Sequence, residues 1–286
     1  MAPRCNGEVM ALKLMYITNR PEIATIAQSC GVDRIFVDME RIGKEKRQPG
    51  DTVKSSHSVE DVIKVKSVLT TSDLLVRVNP ICENVEGFCG SAAEIEAVIA
   101  AGADVIMLPM VKTVDEVKIF AEHVKGRAKT MLLLETAEAA EKLREMLNLG
   151  VIDEVHIGLN DLHLSLDKKF MFELLTDGTV ERLCEIISEY GLPYGFGGIA
   201  RLGYGMLPSE YVIAEHYRLG SQAAILSRSF ANVNNMSDPD EIERLFEIET
   251  AKIRKYESAL KEYTPEMFEK NRLETVRLVD QICEAI

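Results

Sequence analysis

The chain has 286 residues, of which 47% are hydrophobic and 28% charged, and its net charge is −13. This length fits a single α/β barrel, and the acidic balance argues against nucleic acid and anionic membranes as partners. No apolar run reaches the roughly 18 residues of a membrane span, and six scattered cysteines indicate free thiols in a reducing cytoplasm.

Residues 1–10 have no apolar signal-peptide core, and we expect them to form a flexible leader. Short apolar strands and amphipathic helices then alternate over residues 11–236. The predicted strands are Leu12–Ile17, Arg34–Met39, Leu74–Val78, Asp104–Leu108, Thr130–Leu134, Val155–Gly158, Tyr194–Phe196 and Ala223–Leu226. The predicted helices are Pro21–Ser29, one capped by Ser58, Ala92–Ala101, Val114–Val124, Ala137–Leu147, Thr179–Tyr190 and Ser209–Arg218.

Eight successive βα units without a Gly-x-Gly-x-x-Gly turn favour a closed (β/α)8 TIM barrel over a doubly wound sheet. Residues 237–286 form a helical extension, with predicted helices Asp240–Lys261 and Pro265–Ala285 separated at the Thr264–Pro265 cap. Each helix carries an apolar stripe. Part of this length closes the barrel, and we expect the surplus to contact a neighbouring subunit in a homo-oligomer built from dimers, up to a hexamer.

Polar residues stand where the predicted strands end, which is the face on which barrel enzymes carry their active sites. They are Asp38, Glu40, Arg77, Asn79, Glu135, Asn160, Asp161, Arg201 and Arg228. Glu135 ends the apolar run TMLLLE, and we expect Asp161 to hold the same place on the next strand. Two oxygen ligands with further positions open suit Mg²⁺ or Mn²⁺. The alternatives are that Glu135 caps the next helix and that Asp161 pairs with a lysine.

Arg77 ends the strand LLVRV, where a guanidinium group could bind the oxygens of an oxo-acid. A structural ion pair with Asp38 or Glu40 is an equal alternative. Schiff-base chemistry would need a lysine near the strand ends, and the fifth, sixth and seventh predicted strands carry none there. The strand-end residues therefore favour a metal and an enolate.

Five segments resemble, in the right order, the HpcH/HpaI aldolase and citrate lyase family of metal-dependent barrels. They are FVDMER, VRVNP, AGADVIMLPMVKTVDEV, LLLETAEAA and IGLNDLHLSL, and the resemblance runs from about Met15 to Phe230. It implies that Glu135 and Asp161 bind a divalent ion, which a 2-oxo acid such as pyruvate chelates. It further implies that Arg77 binds the enolate oxygen and that the backbone N–H groups of Gly158 and Asn160 bind the substrate carboxylate. Asp38 and Glu40 would order the waters on the metal.

The sequence departs from this family at one position. The aldolase branch has a histidine directly after the Asp-x-Glu unit, where this chain has Arg41. His57, on the loop after the second strand, becomes a candidate for proton transfer, and His163 could also face the mouth. Arg41 would fit a substrate that has another anionic group.

We therefore expect a Mg²⁺- or Mn²⁺-dependent carbon–carbon lyase that acts through a pyruvate or oxaloacetate enolate. A first alternative acts on a CoA thioester or forms citrate, for which Lys44, Lys46 and Lys54 are the only hint of a basic groove. A second alternative is a non-catalytic barrel that binds metal or an oxo-acid. The lyase hypothesis predicts turnover of an oxo-acid, whereas the non-catalytic hypothesis predicts metal binding alone.

Overall fold

Eight parallel strands close into a barrel in sequence order in the computed structural model, which describes residues 11–44, 57–83, 85, 87–228, 230–233 and 236–286. The strands are β1 (Lys13–Ile17), β2 (Arg34–Asp38), β3 (Asp73–Arg77), β4 (Val105–Leu108), β5 (Lys129–Leu134), β6 (Glu154–Ile157), β7 (Tyr194–Ile199) and β8 (Ala223–Leu226). Each strand pairs with the next, and β1 pairs with β8. The predicted (β/α)8 barrel is confirmed.

Helices connect the strands and cover the outside of the barrel. They are α1 (Pro21–Ser29), α2 (Val59–Lys66), α3 (Ser91–Ala100), α4 (Val114–Val124), α5 (Ala137–Glu141), α6 (Leu143–Leu147), α7 (Leu159–Ser165), α8 (Glu173–Thr176), α9 (Thr179–Glu189), α10 (Ser209–Leu219), α11 (Pro239–Leu260) and α12 (Pro265–Ala285). Capping boxes begin α2 at Ser58 and α4 at Thr113, because each hydroxyl accepts a hydrogen bond from a backbone N–H that would otherwise lack a partner.

The structure differs from the predicted elements around β5 and β6. The predicted helix Ala137–Leu147 is two short helices, α5 and α6, separated at Lys142. The short helices α7 and α8, which were not predicted, lie between β6 and α9. Since α7 begins directly after β6, Asp161 lies in a helical first turn rather than at a strand end.

The barrel interior is filled by apolar side chains that point inward from the strands, while the opposite strand faces pack under the helices. This double burial explains why the strands read as continuous apolar runs. The inner cluster consists of Met15, Phe36, Leu75, Val105, Met107, Met131, Leu133 and Ala223. At the N-terminal end of the barrel, Arg34 forms two hydrogen bonds of 2.8 and 3.0 Å with Glu154. This buried ion pair therefore spans the interior at the end opposite the mouth on which barrel enzymes carry their active sites.

The C-terminal helices pack on the barrel of the same chain. Helix α11 contacts α1 and α10, and α12 contacts α8 and α10. The predicted stripe of α11 supplies the fully buried Ile242, Phe246 and Ile253, whereas Leu273 on α12 is 56% exposed. The helical extension is thus confirmed, and its contact with another subunit stays a prediction. Within the described ranges, the helices are too short or too polar to cross a bilayer.

Candidate active site

A cavity of about 870 Å³ lies at the C-terminal mouth of the barrel. The loops after β1 and β8 form part of its wall, and residues in or directly after β2 to β7 form most of the rest. Of the residues predicted for the site, it collects Asp38, His57, Arg77, Glu135, Gly158, Asn160 and Asp161. Residues separated by more than a hundred positions in the chain therefore share a single chamber.

Glu135 directly follows β5 and is only 3% exposed. Its Oε1 accepts a hydrogen bond of 3.0 Å from the backbone N–H of Met110, whose positive φ of 55° turns that N–H toward it. Burial raises the pKa of Glu135 to about 8; Arg77 opposes this rise, and the negative charge of Asp161 adds to it. Thr136, not Glu135, caps the following helix, so the capping alternative is wrong. An ionised Glu135 therefore needs additional positive charge.

Gly158, at the end of β6, makes room for this carboxylate. A Cβ atom at residue 158 would lie 2.9 Å from both Cβ and Oε2 of Glu135 and 3.2 Å from Leu133 Cδ1. The φ of Gly158 is −83°, which other residues adopt easily, so the glycine is required by close approach rather than by backbone conformation.

Asp161 reaches the same chamber from the first turn of α7 and is partly buried there. It is close enough to Glu135 to raise the pKa of that carboxyl group. The expectation that Asp161 has the position of Glu135 on the next strand is wrong in its local geometry, because β6 ends at Ile157 and a helix begins at once. The expectation that the two carboxylates share one mouth is confirmed.

Arg77 and Asp38 form a forked ion pair at the ends of β3 and β2. Arg77 Nε and Nη2 donate to Asp38 Oδ1 and Oδ2, each at 2.8 Å, and Nη2 lies 3.3 Å from Glu40 Oε2. Lys44 Nζ adds a 2.7 Å contact to Asp38 Oδ2. Burial alone would raise the pKa of Asp38, but Arg77 and Lys44 hold it well below its usual range. The structural ion pair considered from the sequence is therefore present; Arg77 lines the cavity as well, and its role in binding an oxo-acid stays a prediction.

Two carboxyl groups, those of Glu135 and Asp161, face the cavity close together. Burial and the negative charge of Asp161 raise the pKa of Glu135, so positive charge placed beside it would favour its ionised form. The pair therefore fits the oxygen ligands of a divalent cation. In the part of the chain that the structure describes, no group of three or more histidine, cysteine, aspartate or glutamate residues could hold a metal. An ion held by Glu135 and Asp161 would keep its other positions open.

His57 lines the cavity, and a hydrogen bond fixes the orientation of its ring. Its Nδ1 accepts the backbone N–H of Asp38 at 3.0 Å, so the proton of the neutral ring is on Nε2. Burial lowers the pKa of His57, which favours this neutral form. His57 can therefore donate a hydrogen bond from Nε2, but it cannot act as a base there while the Nδ1 bond persists.

Other predicted site residues are placed differently from the expectation. The Gly158 N–H donates to Leu134 O at 2.9 Å within the sheet, so its predicted role as a donor to a substrate carboxylate is wrong. Asn160 lies in the first turn of α7, where backbone N–H groups have no intrahelical partner. The Arg41 side chain is exposed and does not belong to the residues that line the cavity. His163 is buried beside Leu159 O, also outside that lining.

His156, Arg20 and Lys44 are among the cavity residues that were not assigned to this site from the sequence. His156 points inward from β6 and donates from Nε2 to Gly197 O at 3.1 Å, and burial lowers its pKa to about 4. Its spacing of two residues from Gly158 was the available signal, because alternate residues of a strand face the same side. Arg20 follows β1 closely and could have been found by the strand-end rule. Lys44, in the segment after β2, was considered only as part of a basic groove for CoA.

Comparisons with known proteins agree with this arrangement. The sequence model of the HpcH/HpaI aldolase/citrate lyase family matches residues 13–171. An HpcH/HpaI aldolase/citrate lyase family protein from Burkholderia cenocepacia J2315 superposes with a TM-score of 0.60 at 13% identity, over 76% of this chain and 88% of that one. An HpcH/HpaI aldolase from Desulfitobacterium hafniense DCB-2 superposes with a TM-score of 0.56 at 17% identity, over 89% and 95% of the two chains.

No curated protein matches the sequence. At such low identities the two structural matches support the fold alone. The family match is independent of them and spans more than half of the 286 residues, including β1 to β6, Glu135 and Asp161. The chain therefore belongs to the HpcH/HpaI aldolase/citrate lyase family, which supports a lyase-type function.

Proposed function

We propose that this chain is a carbon–carbon lyase that depends on Mg²⁺ or Mn²⁺ and acts through the enolate of pyruvate or oxaloacetate. The observation that carries the proposal is that Glu135, whose pKa burial raises, and Asp161 face one cavity together with Arg77. Family membership supports the lyase class, and the metal and the enolate are inferred from the chemistry of these side chains.

Glu135 and Asp161 are the residues that would hold the ion. When bound, the ion would supply Lewis acidity toward the carbonyl oxygen of a 2-oxo acid. The bond that breaks joins the carbon next to that carbonyl to the departing fragment. Its electron pair stays on that carbon and delocalises onto the carbonyl oxygen as an enolate, while the fragment leaves as a carbonyl compound once its hydroxyl group loses a proton. Catalysis requires positive charge placed in advance where this negative charge develops.

Arg77 provides such charge from the chain itself. Its Nε and Nη2 are held by Asp38, which fixes the plane of the guanidinium group at the wall of the cavity. Because the fork is oriented before substrate binds, little reorganisation is needed as the charge forms. Asp38 and Glu40 act in this proposal mainly by positioning Arg77.

His57 holds a proton on Nε2 at the edge of the same cavity. We assign it the role of a hydrogen-bond donor to the substrate, in place of the proton-transfer role expected from the sequence, because loss of the Nε2 proton from the neutral ring would leave an imidazolate. Cleavage would therefore need an acid for the enolate carbon and a base for the departing fragment in addition to His57.

The CoA alternative loses part of its support. Lys44 turns toward Asp38 instead of forming an outer groove, whereas Lys46 and Lys54 lie outside the described residues. The non-catalytic alternative predicts metal binding without turnover, and the same experiment that tests the lyase separates the two.

The direct test is exchange of the pyruvate methyl protons with deuterium, followed by proton NMR in D₂O with Mg²⁺ and with a chelator. We expect exchange that requires the metal and is lost in Glu135→Gln and Asp161→Asn. Asp115→Asn, on the exposed surface of α4, is the matched control and should behave as wild type. Exchange that persists in both cavity variants, or that is absent from the wild-type protein, would rule out the proposed function.

A further inference from the structure

Lys44 is a buried cation in the wall of the cavity. Its side chain is only 6% exposed, and its Nζ lies 2.7 Å from Asp38 Oδ2. Burying an ammonium group is unfavourable unless it is paired, so this placement indicates a requirement for its charge. The proposed chemistry, as described for Arg77 and His57, gives Lys44 no part.

Asp38 is shared between two cations. Its Oδ2 receives both Arg77 Nη2 at 2.8 Å and Lys44 Nζ at 2.7 Å, while its Oδ1 receives Arg77 Nε. Arg77 also lies 3.3 Å from Glu40. Without Lys44, a single guanidinium group would face two carboxylates, and its positive charge would be cancelled before it could act on a substrate.

We propose that Lys44 is a positioning residue, which neutralises Asp38 so that the charge of Arg77 remains available to an enolate oxygen in the cavity. The inference rests on the proposed function. It assigns Lys44 an electrostatic role that acts through Asp38 and Arg77, with Glu135 and Asp161 left as the residues that would hold metal.

A lysine in the cavity of an aldolase-like barrel could instead form a Schiff base with a 2-oxo acid. That reaction needs a neutral amine, which attacks the carbonyl carbon and releases water. Lys44 Nζ is instead held in a 2.7 Å ion pair with Asp38 Oδ2, where it does not face a substrate carbonyl as a free amine. Treatment with borohydride in the presence of pyruvate should therefore leave the protein active and unmodified, and covalent trapping of pyruvate on Lys44 would overturn the inference.

The variant to test is Lys44→Met, which keeps the length of the side chain and removes its charge. We expect the rate of metal-dependent pyruvate exchange at saturating pyruvate to fall about 10–100-fold, as for other residues that orient a site through a neighbour. The dissociation constant for Mn²⁺, measured by calorimetry without pyruvate, should be unchanged or lower, because the loss of a cation leaves the cavity more negative. Lys44→Arg should restore most of the rate.

Lys66→Met is the matched control. Lys66 Nζ makes a contact of the same length, 2.7 Å, with Asp104, but both side chains are more than a third exposed and lie outside the cavity. This control should keep the wild-type rate. An unchanged rate in Lys44→Met, or a parallel loss of Mn²⁺ affinity, would show that Lys44 does not act through Arg77. Absence of exchange in the wild-type protein would instead remove the proposed function, and this inference with it.

Discussion

Glu135 occupies the space that a side chain at residue 158 would need: a Cβ there would lie 2.9 Å from Glu135 Oε2. The two residues come from neighbouring strands, β5 and β6, at the mouth of the barrel. Because Gly158 has no side chain, the Glu135 carboxylate can extend into the cavity beside Asp161.

Gly158→Ala should displace Glu135 without straining the backbone. We expect Mn²⁺ affinity to fall about tenfold or more, because displacing a ligand by a few tenths of an ångström disturbs an oxygen site as much as losing a group that orients it. Gly198→Ala is the control: its Cβ would meet Ile225 O at 3.3 Å, and no carboxylate is near it. Calorimetric titration of both variants checks the prediction, which fails if they bind Mn²⁺ equally well.

Glu135 should make the metal-free protein less stable as the pH rises. Its pKa is raised from the usual 4.5 to about 8, so between these values the folded protein keeps a proton that the unfolded chain has lost. The contribution of Glu135 to stability is fully present below about pH 4.5 and is lost up to about pH 8, at about 1.4 kcal/mol per pH unit.

Glu135→Gln removes this titration. In the presence of a chelator, the free energy of unfolding by urea should rise in the variant relative to wild type as the pH increases from about 5 to about 8. Addition of Mg²⁺ at the higher pH should stabilise wild type and leave the variant unaffected. A difference in unfolding free energy that does not change with pH would contradict the burial of an ionisable Glu135.

Arg77→Lys should separate the geometry of the cation from its charge. Lysine cannot reproduce the fork by which Nε and Nη2 hold Asp38, so we expect the pyruvate exchange rate to fall about 100-fold or more, with Mn²⁺ affinity largely kept. Arg144→Lys, in the exposed pair with Glu189, is the matched control and should exchange normally. A wild-type rate in Arg77→Lys would mean that its positive charge alone is sufficient.

Glu154→Gln should affect stability and not catalysis. The substitution removes a negative charge that pairs with Arg34, which is fully buried at the N-terminal end of the barrel. The free energy of unfolding should fall by about 3 kcal/mol. The folded fraction should exchange pyruvate protons at the wild-type rate, since this end of a barrel supports stability. Glu189→Gln, at an exposed ion pair, should change the unfolding free energy by less than about 1 kcal/mol. Chemical unfolding and the NMR assay together test both statements.

The sequence by itself determined the barrel and one half of the candidate site. Strands buried on both faces must be apolar throughout, so their runs were visible without any tertiary information. Glu135 and Arg77 stand at or next to the last residue of such a run, and their position at the mouth follows from the strand alone. Whether a strand is buried on both faces is visible in the sequence of that strand, because burial requires apolar residues at consecutive positions.

Only the tertiary structure decided which groups meet. Lys44 reaches Asp38 from the segment that follows β2, Asp161 enters the cavity from a helix, and the Gly158 N–H donates to Leu134 O within the sheet. These contacts depend on distances between residues that different elements bring together, which no periodicity records. The proximity of Glu135 and Asp161, which the proposed metal site requires, was therefore visible only in the closed barrel.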